Sequence, residues 1–372
     1  MMSHHIIYKD PTKLSLFFTK KCNFDCAYCY LGKKNNQTLS FKKLYEVIDF
    51  FLSLPSDQEK EITYMGGEPL VEMDFVKKSA LRIRKMTDEN EKKLAILHLM
   101  TNGYLLSKKE FNALSNIGIT FTVSLDGKEE TNAAYRKIKS GKFSYKKILK
   151  NLSNISLREK GMGNSLVFGP DNVSKLYGNI LFISKFGFEN IYFLPRLYEL
   201  WNEKDLKLLK FNFEKIEKYY VSLFKEGDPK KIFTIPYLRK YIDNNNIKTF
   251  HCDKLNMDWR GDLFRCWAFL SLKDKIREKY KIDISDFQKS NRKFEEIFFL
   301  PAIELFEQLS KQSILESPFC PVDSYSYAIL YNKNPKEAVE NFININNLYK
   351  DFFQNIYQQL RNNFLFKKTY DI

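Results

Sequence analysis

Three cysteines lie close together near the start of the chain, at Cys22, Cys26 and Cys29. Their spacing allows one curled loop to bring three thiolates to a single metal cluster. Four thiolates close an iron–sulfur cluster, so three leave one iron open to another ligand. The alternatives are a zinc site or a set of structural thiols. A zinc site would lack a nearby fourth ligand, because no further Cys or His follows until His98.

A second group of three cysteines lies in the last third of the chain, at Cys252, Cys266 and Cys320. The sequence Arg260-Gly261-Asp262 predicts a tight turn between the first two, with Gly261 in the positive-φ position. A hairpin brings its two ends together, so Cys252 and Cys266 can bind one cluster. The alternative is three ordinary buried cysteines.

The first two hundred residues alternate between strand-like and helix-like segments, which predicts a parallel sheet with outer helices. In chain order, strand first, the predicted segments are Leu14–Phe18, Phe41–Leu54, Glu61–Met65, Asp74–Thr87, Leu94–Met100, Lys108–Asn116, Ile119–Leu125, Tyr145–Leu157, Ser165–Phe168, Val173–Phe186, Ile191–Leu194 and Lys204–Lys225. Ser40 is the expected N-cap of the first helix.

Four chemically suggestive segments each follow a predicted strand. They are the cysteine loop, Gly66-Gly67-Glu68-Pro69, Thr101-Asn102-Gly103 and Ser124-Leu125-Asp126-Gly127. Ligands of parallel α/β folds bind at the carboxyl ends of the strands. We therefore expect the four segments to meet at one rim of the sheet.

The loop Lys21-Cys22-Asn23-Phe24-Asp25-Cys26-Ala27-Tyr28-Cys29-Tyr30 resembles the signature of the radical S-adenosylmethionine (SAM) superfamily. The resemblance implies that the three cysteines hold a [4Fe–4S] cluster whose fourth iron chelates the amine and carboxylate of SAM. Reductive cleavage of SAM then gives a 5′-deoxyadenosyl radical that removes a hydrogen atom from the substrate. Tyr28 matches the aromatic residue that lies near the adenine in this family.

The other strand-end segments also match the family. Gly66, Gly67, Glu68 and Pro69 match a Gly-Gly-Glu-Pro segment, in which backbone carbonyls and the Glu68 carboxylate would accept hydrogen bonds from the SAM ammonium. Taken alone, the four residues also fit a simple tight turn.

Four further residues are expected at the cofactor by the same resemblance. Asn102 and Asp126 lie at matching strand ends, Ser124 matches a ribose contact, and Arg136 matches an arginine that pairs with the SAM carboxylate. Leu194, at a later strand end, would lie near the adenine. The alternatives are turn caps for Asn102 and Asp126, a solvated arginine and a core leucine.

The second cysteine group resembles the opening of a SPASM/twitch extension, in its shorter twitch form with one auxiliary [4Fe–4S] cluster. The three cysteines leave one iron without a thiolate, and the candidates for its ligand are Asp253, Asp323, His251, a substrate atom and water. One of the cysteines could instead be a free thiol that donates a hydrogen atom to a product radical. The auxiliary cluster would accept the substrate electron, bind the substrate or stabilise the fold.

The predicted architecture is an α/β fold, a partial (β/α)6 barrel followed by a small cysteine-rich extension and a terminal helix. The expected divisions are a core barrel at 1–225, a linker at 226–250, a twitch-like domain at 251–330 and a helical segment at 331–372. Pro335 opens the final helix, which runs towards Phe366.

The composition fits a cytoplasmic enzyme. No apolar run is long enough to span a membrane, and clustered cysteines in such a chain favour metal over disulfides. The net charge of +15 could indicate an acidic partner, but basic and acidic residues are interleaved, so we expect solvated helix faces and no nucleic-acid partner.

Three functions fit the sequence. The first is modification of a ribosomally made precursor peptide by crosslinking, thioether formation or epimerisation, with flavodoxin or ferredoxin as electron donor. The second is a radical SAM oxidoreductase for a small molecule or cofactor precursor. The third is a metal-binding module without catalysis.

Overall fold

A computed structural model describes residues 10–56, 58–89, 95–139, 145–158, 161–244, 252–271, 274–311 and 319–372. Within these ranges the strands are β1 (Lys13–Phe17), β2 (Phe24–Cys26), β3 (Glu61–Met65), β4 (Ile96–Thr101), β5 (Ile119–Ser124), β6 (Arg136–Ile138), β7 (Gly163–Phe168), β8 (Asn190–Pro195), β9 (Lys254–Met257) and β10 (Leu263–Phe264). The helices are α1 (Phe41–Ser53), α2 (Met73–Glu89), α3 (Lys108–Ser115), α4 (Glu129–Tyr135), α5 (Tyr145–Ser153), α6 (Leu176–Phe186), α7 (Glu203–Glu226), α8 (Pro236–Asn244), α9 (Asp274–Tyr280), α10 (Phe287–Phe294), α11 (Leu300–Ser310), α12 (Pro321–Leu330), α13 (Pro335–Leu360) and α14 (Phe364–Tyr370).

Six parallel strands form the centre of the main sheet, in the order β1-β3-β4-β5-β7-β8. Helices connect them in sequence, as parallel pairing requires. β9 pairs in parallel with the outer side of β1, and β10 pairs antiparallel with β9. The structure confirms the predicted α/β fold with a partial (β/α)6 barrel.

The local sequence explains these elements. Central strands of a parallel sheet are buried on both faces and so read as apolar runs. β4 buries Leu97 and Leu99 completely. Helix α1 places Leu44, Val47 and Phe51 on one buried face, and the Ser40 side chain accepts a hydrogen bond from its first turn, as predicted.

A two-stranded ribbon was not predicted from the sequence. β2 lies inside the cysteine loop and pairs antiparallel with β6, so that Cys26 faces Arg136 and Phe24 faces Ile138. Arg136 follows the last residue of α4 and begins β6.

The predicted hairpin between Cys252 and Cys266 is confirmed. Its strands are β9 and β10, and Gly261 has a φ of 87° in the connecting turn. The Asp258 carboxylate accepts hydrogen bonds from the backbone of Arg260 and Asp262. Arg277 forms an ion pair with the same carboxylate, which fixes the turn to the following helix.

Part of the predicted linker is helical. It contains α8, whose buried face is formed by Leu238 and Ile242. Residues 245–250 of the predicted linker lie outside the described ranges. The division into domains stays a prediction. β9, which belongs to the predicted twitch-like domain, pairs directly with β1 of the barrel sheet.

The C-terminal helices pack on the barrel. The Tyr349 hydroxyl of α13 donates to the Phe193 carbonyl of β8, and the Tyr349 ring lies 4.7 Å from that of Phe213 in α7. The predicted final helix ends at Leu360, and α14 starts after an Asn363 cap. None of the described helices combines the length and apolar character needed to cross a membrane.

Candidate functional site

The cysteine loop follows β1 and is held by backbone hydrogen bonds at Cys26 and just after it. The Cys29 amide donates to the Cys26 carbonyl at 3.1 Å, and the Ala27 amide donates to Tyr135 at 2.8 Å. The Phe24 amide donates to the Cys22 sulfur at 3.3 Å. All three cysteines are half-buried and unbridged, so their thiols remain available as ligands.

Two cations lie beside these thiols. Lys34 donates a hydrogen bond to the Cys29 sulfur, and an Arg136 nitrogen lies 4.0 Å from the Cys26 sulfur. Burial raises the pKa of Cys22 to about 12 and also raises the pKa of Cys26, although Arg136 counteracts the second shift. Thiols of this kind ionise when a cationic metal binds, since the metal favours the thiolate.

A cavity of about 440 Å³ opens at this loop. Cys26 and Cys29 contribute to its wall together with Lys33, Lys34 and Lys139. Within the described ranges, no three His, Cys, Asp or Glu side chains close around the position of a single metal ion. The thiolates of an iron–sulfur cluster bind different irons and stand farther apart than the ligands of one ion.

Gly66 and Gly67 pack directly against the segment that leads into the loop. A Cβ on Gly66 would lie 2.5 Å from the Thr19 carbonyl oxygen, and one on Gly67 would lie 2.0 Å from the Lys21 carbonyl oxygen. The amides of Gly67 and Glu68 donate to these same two carbonyls at 2.8 Å. The two glycines therefore allow β3 to hold the cysteine loop by close backbone contact.

The buried Glu68 carboxylate joins the ends of β3 and β4. It accepts hydrogen bonds from the Thr101 hydroxyl and the Asn102 amide, each at 2.7 Å, and from the Leu70 amide at 3.1 Å. The Asn102 side chain donates to Asn23 in the cysteine loop at 2.8 Å. Both Glu68 oxygens thus have protein donors, and its expected contact with the SAM ammonium stays a prediction.

Asp126 is a fully buried carboxylate that binds three separate segments. It accepts hydrogen bonds from the Tyr28 hydroxyl, from Arg136 Nε at 3.2 Å and from the Val167 amide at 3.1 Å. The Arg136 guanidinium lies 5.6 Å from the centre of the Tyr28 ring. Three residues predicted at the cofactor are therefore in mutual contact.

Three other predicted residues have less specific surroundings. Ser124 ends β5 and pairs with Ser165, Leu194 is half-buried in β8, and Pro69 is buried at the start of a short helical turn. Their contacts with SAM stay predictions. The sequence interpretation missed Asn23 and Lys34, because a single Asn or Lys near a cysteine carries no distinctive signal.

The Radical SAM superfamily profile matches residues 16–175, which run from β1 to the turn before α6. Uncharacterized protein MJ0907 of Methanocaldococcus jannaschii is 30% identical over 274 residues, which cover 73% of this chain and 91% of that protein. The chain belongs to the radical SAM superfamily.

Two other similarities cover most of this radical SAM chain. The GTP 3',8-cyclase of Campylobacter jejuni strain RM1221 is 26% identical over 292 residues, or 71% of this chain and 84% of that enzyme. The fold is similar to that of native anSMEcpe with bound AdoMet and Cp18Cys peptide, with a TM-score of 0.70 and 16% identity over 96% of this chain and 99% of that one. The second similarity shows a shared fold.

Membership of the radical SAM superfamily implies SAM and one [4Fe–4S] cluster. The residues fit both groups. Cys22, Cys26 and Cys29 supply three soft sulfur ligands, one short of a closed cluster, and Cys26 and Cys29 line an open cavity. Tyr28 and Arg136 lie beside them on rigid supports, which suits a bound cofactor.

The second cysteine group of this radical SAM chain is brought together by the hairpin and α12. Cys266 is buried, Cys252 and Cys320 are half-buried, and Cys320 lies at the N-terminus of α12. Burial and then the Asp323 charge raise the pKa of both Cys266 and Cys320, and each is raised further by Cys252. Three thiols and one carboxylate thus interact electrostatically at one place.

Two of the candidate fourth ligands can be compared. Asp323 accepts hydrogen bonds from Trp267 Nε1 at 3.1 Å and from the Cys266 sulfur at 3.7 Å. Asp253 instead pairs with Lys13 at 2.9 Å. His251, the third candidate, lies outside the described residues.

Proposed function

We propose that this radical SAM protein is an enzyme that modifies a ribosomally synthesised peptide, by forming a carbon–carbon or thioether crosslink or by inverting a stereocentre. The observation that supports this most is the fold similarity to anSMEcpe, which extends over 96% of this chain. That structure contains a bound peptide. The similarity includes the C-terminal cysteine region as well as the barrel.

The first site would act as follows. When bound, SAM and its cluster supply a carbon radical that removes a hydrogen atom from the substrate. Cys22, Cys26 and Cys29 hold the cluster, and Lys34 balances part of the thiolate charge. Asp126 orients Tyr28 and Arg136 at the loop, so that both are fixed before the cofactor arrives.

The carboxyl ends of the strands would together form the SAM-binding rim. Its proposed members are Tyr28, Gly66, Gly67, Glu68, Pro69, Asn102, Ser124, Asp126, Arg136 and Leu194. Glu68 and Asp126 act mainly through neighbours, since protein donors surround both carboxylates. Direct contacts with SAM are assigned to Tyr28, Arg136 and the backbone of the two glycines.

An auxiliary [4Fe–4S] cluster is proposed at Cys252, Cys266 and Cys320. Its support is that the three cysteines, separated by 14 and 54 positions along the chain, lie near one another, and that the Asp323 carboxylate lies near Cys266 and Cys320. Cysteines with only a structural role would not need to lie close to one another. An auxiliary cluster also fits an oxidative peptide modification, because the substrate radical must lose an electron when a crosslink forms.

Two partners are proposed, an electron donor and the precursor peptide. Lys33, Lys34 and Lys139 line the cavity at the first cysteine loop with one acidic residue, Asp25, and this excess of positive charge would attract an acidic electron donor such as flavodoxin or ferredoxin. The precursor peptide is the second partner. Both are cytoplasmic molecules, and we assign the enzyme to that compartment.

A small molecule is the second candidate substrate. The 26% identity with a GTP 3',8-cyclase over 71% of this chain favours a nucleotide or a cofactor precursor. The two candidates differ in the product that forms, so one set of reactions can separate them.

The test begins with anaerobic reconstitution of the purified protein. Two clusters would give about eight irons per chain. Adding SAM and a reductant should release 5′-deoxyadenosine, and the Cys26→Ala variant should release none. Protein that binds metal without releasing 5′-deoxyadenosine would instead be a metal-binding module without catalysis.

The substrate class is tested by coexpression. Short peptides encoded beside this gene would be produced with the enzyme and analysed by mass spectrometry. A mass loss of two hydrogens, or deuterium incorporation from solvent at one Cα, supports peptide modification. If no peptide changes mass or exchanges hydrogen while the reconstituted enzyme converts GTP, the small-molecule function replaces the peptide proposal.

A further inference from the structure

The second cysteine group contains one acidic side chain among its three thiols. Asp323 lies three residues after Cys320, in the first turn of α12. Its Oδ1 lies 3.7 Å from the Cys266 sulfur, which belongs to the hairpin side of the group. The carboxylate therefore contacts one thiol of the proposed auxiliary cluster, and its residue lies three positions after a second, Cys320.

The orientation of this carboxylate is fixed by Trp267. The indole Nε1 donates to Oδ1 at 3.1 Å, and both hydrogen bonds that the described residues make to Asp323 fall on that oxygen. Metal ligands are commonly held in place by such an outer hydrogen bond, which orients the ligand and leaves its other atom for the metal. Here Oδ2 is the atom left for iron.

The other acidic candidate is engaged elsewhere. Asp253 forms an ion pair with Lys13 and accepts a hydrogen bond from the Thr12 hydroxyl at 3.4 Å. The side-chain contacts of Asp253 thus lie at the start of β1, whereas the hydrogen-bond donors of Asp323 are Cys266 and the residue beside it, Trp267.

We propose that Asp323 is the fourth ligand of the auxiliary cluster and closes it with a carboxylate oxygen. The inference rests on the proposed function, because it needs the auxiliary cluster to exist. It also selects among the roles of that cluster. With four protein ligands, no iron is open to substrate, so the cluster transfers electrons or stabilises the fold and does not bind the substrate directly.

The test isolates this cluster in protein that lacks the first one. The triple variant Cys22→Ala/Cys26→Ala/Cys29→Ala is reconstituted anaerobically and should retain about four irons per chain. After reduction, its electron paramagnetic resonance (EPR) signal should stay unchanged when cyanide is added, because no iron is open. With ¹³C-aspartate in the protein, electron–nuclear double resonance should detect a carboxylate carbon coupled to the cluster.

Substitutions then assign the ligand. Asp323→Asn in the triple-variant background should shift the EPR signal, remove the ¹³C coupling and make the cluster bind cyanide. Asp323→Cys should restore insensitivity to cyanide by supplying a thiolate. Asp253→Asn is the matched control and should leave the signal and the coupling unchanged.

The outcomes distinguish this inference from the function on which it rests. The ligand assignment is overturned if the triple variant holds iron but its EPR signal changes with cyanide, or if it holds iron and shows no ¹³C coupling. Either result leaves the auxiliary cluster in place. No iron in the triple variant overturns both the cluster and its ligand. Release of 5′-deoxyadenosine by the protein with all six cysteines is measured separately and does not depend on either result. The cyanide and ¹³C measurements use the native Asp323, so they hold even if Asp323→Asn fails to fold.

Discussion

Tyr30 and Trp267 meet edge to face, with ring centroids 5.0 Å apart and planes inclined at 68°. Tyr30 directly follows Cys29, and Trp267 directly follows Cys266. One aromatic contact thus joins the loop of the first cysteine group to the hairpin of the second. Trp267 also donates a hydrogen bond to Asp323, so one side chain contacts both the first cysteine loop and the carboxylate of the second group.

Trp267→Phe should alter the auxiliary cluster without removing it. The substitution keeps an aromatic ring against Tyr30 but loses the N–H that donates to Asp323 Oδ1. Hydrogen bonds to cluster ligands stabilise the reduced form, so the midpoint potential of the auxiliary cluster should become more negative. An EPR-monitored redox titration measures the shift. Tyr30→Phe keeps the same ring contact and should leave that potential unchanged, and equal potentials in all three proteins would contradict the role given to Trp267.

Gly67→Ala should displace the first cysteine loop. The added Cβ would lie 2.0 Å from the Lys21 carbonyl oxygen, and backbone atoms there can yield only by moving the loop. Overpacking of this kind costs about 1–3 kcal/mol. We expect less iron at the first site and slower release of 5′-deoxyadenosine.

Gly178→Ala is the matched control for that substitution. Gly178 lies inside α6, and the nearest atom to its added Cβ would be the Lys128 nitrogen at 3.9 Å. Alanine in a helix is more stable than glycine by about 0.5–1 kcal/mol, so this variant should keep its iron and unfold at slightly higher urea concentration. Equal iron content in both variants would contradict the close-approach role of Gly67.

The strands could be predicted from the sequence because each is a short apolar run that ends in a distinctive turn. β3 was predicted to the residue, and the hairpin turn followed from Gly261. The ribbon of β2 and β6 could not be predicted in this way. Its strands have three residues each, and their pairing depends on contacts more than a hundred positions apart.

The candidate site shows the same difference between local sequence signals and long-range contacts. Its cysteines and glycines were identified from their spacing, which is a local property of the sequence. The partners of Glu68 and Asp126 were not, because Thr101 and Tyr28 lie far from them along the chain. The sequence predicted that these strand-end segments meet, and contacts among Glu68, Asn102 and the cysteine loop agree with it, but the hydrogen-bond partners depend on tertiary packing.

Asp126→Asn should destabilise the fold through Arg136. The substitution keeps the shape of the side chain but leaves the buried guanidinium without its counter-charge. Breaking a buried ion pair from one side typically costs about 3–5 kcal/mol. Urea unfolding of the metal-free protein measures the change. Glu203→Gln is the control, because Glu203 is 82% exposed in its pair with Lys207, which is 74% exposed, and such surface pairs contribute under about 1 kcal/mol. Similar losses in the two variants would mean that Asp126 is not the counter-charge that Arg136 requires.

Alanine substitutions in the two cysteine groups should affect different steps of the reaction. Cys22→Ala leaves two thiolates at the first site, so a second iron loses its protein ligand, the cluster is poorly held and has no unique open iron, and release of 5′-deoxyadenosine should fall to background. Cys320→Ala removes a ligand only from the second site, so SAM cleavage should continue while modified substrate no longer forms. Both products are measured in the same reaction, 5′-deoxyadenosine by chromatography and the modified peptide by mass spectrometry. If Cys320→Ala forms modified product at the rate of the native protein, the second cysteine group has no part in turnover and the auxiliary-cluster proposal fails.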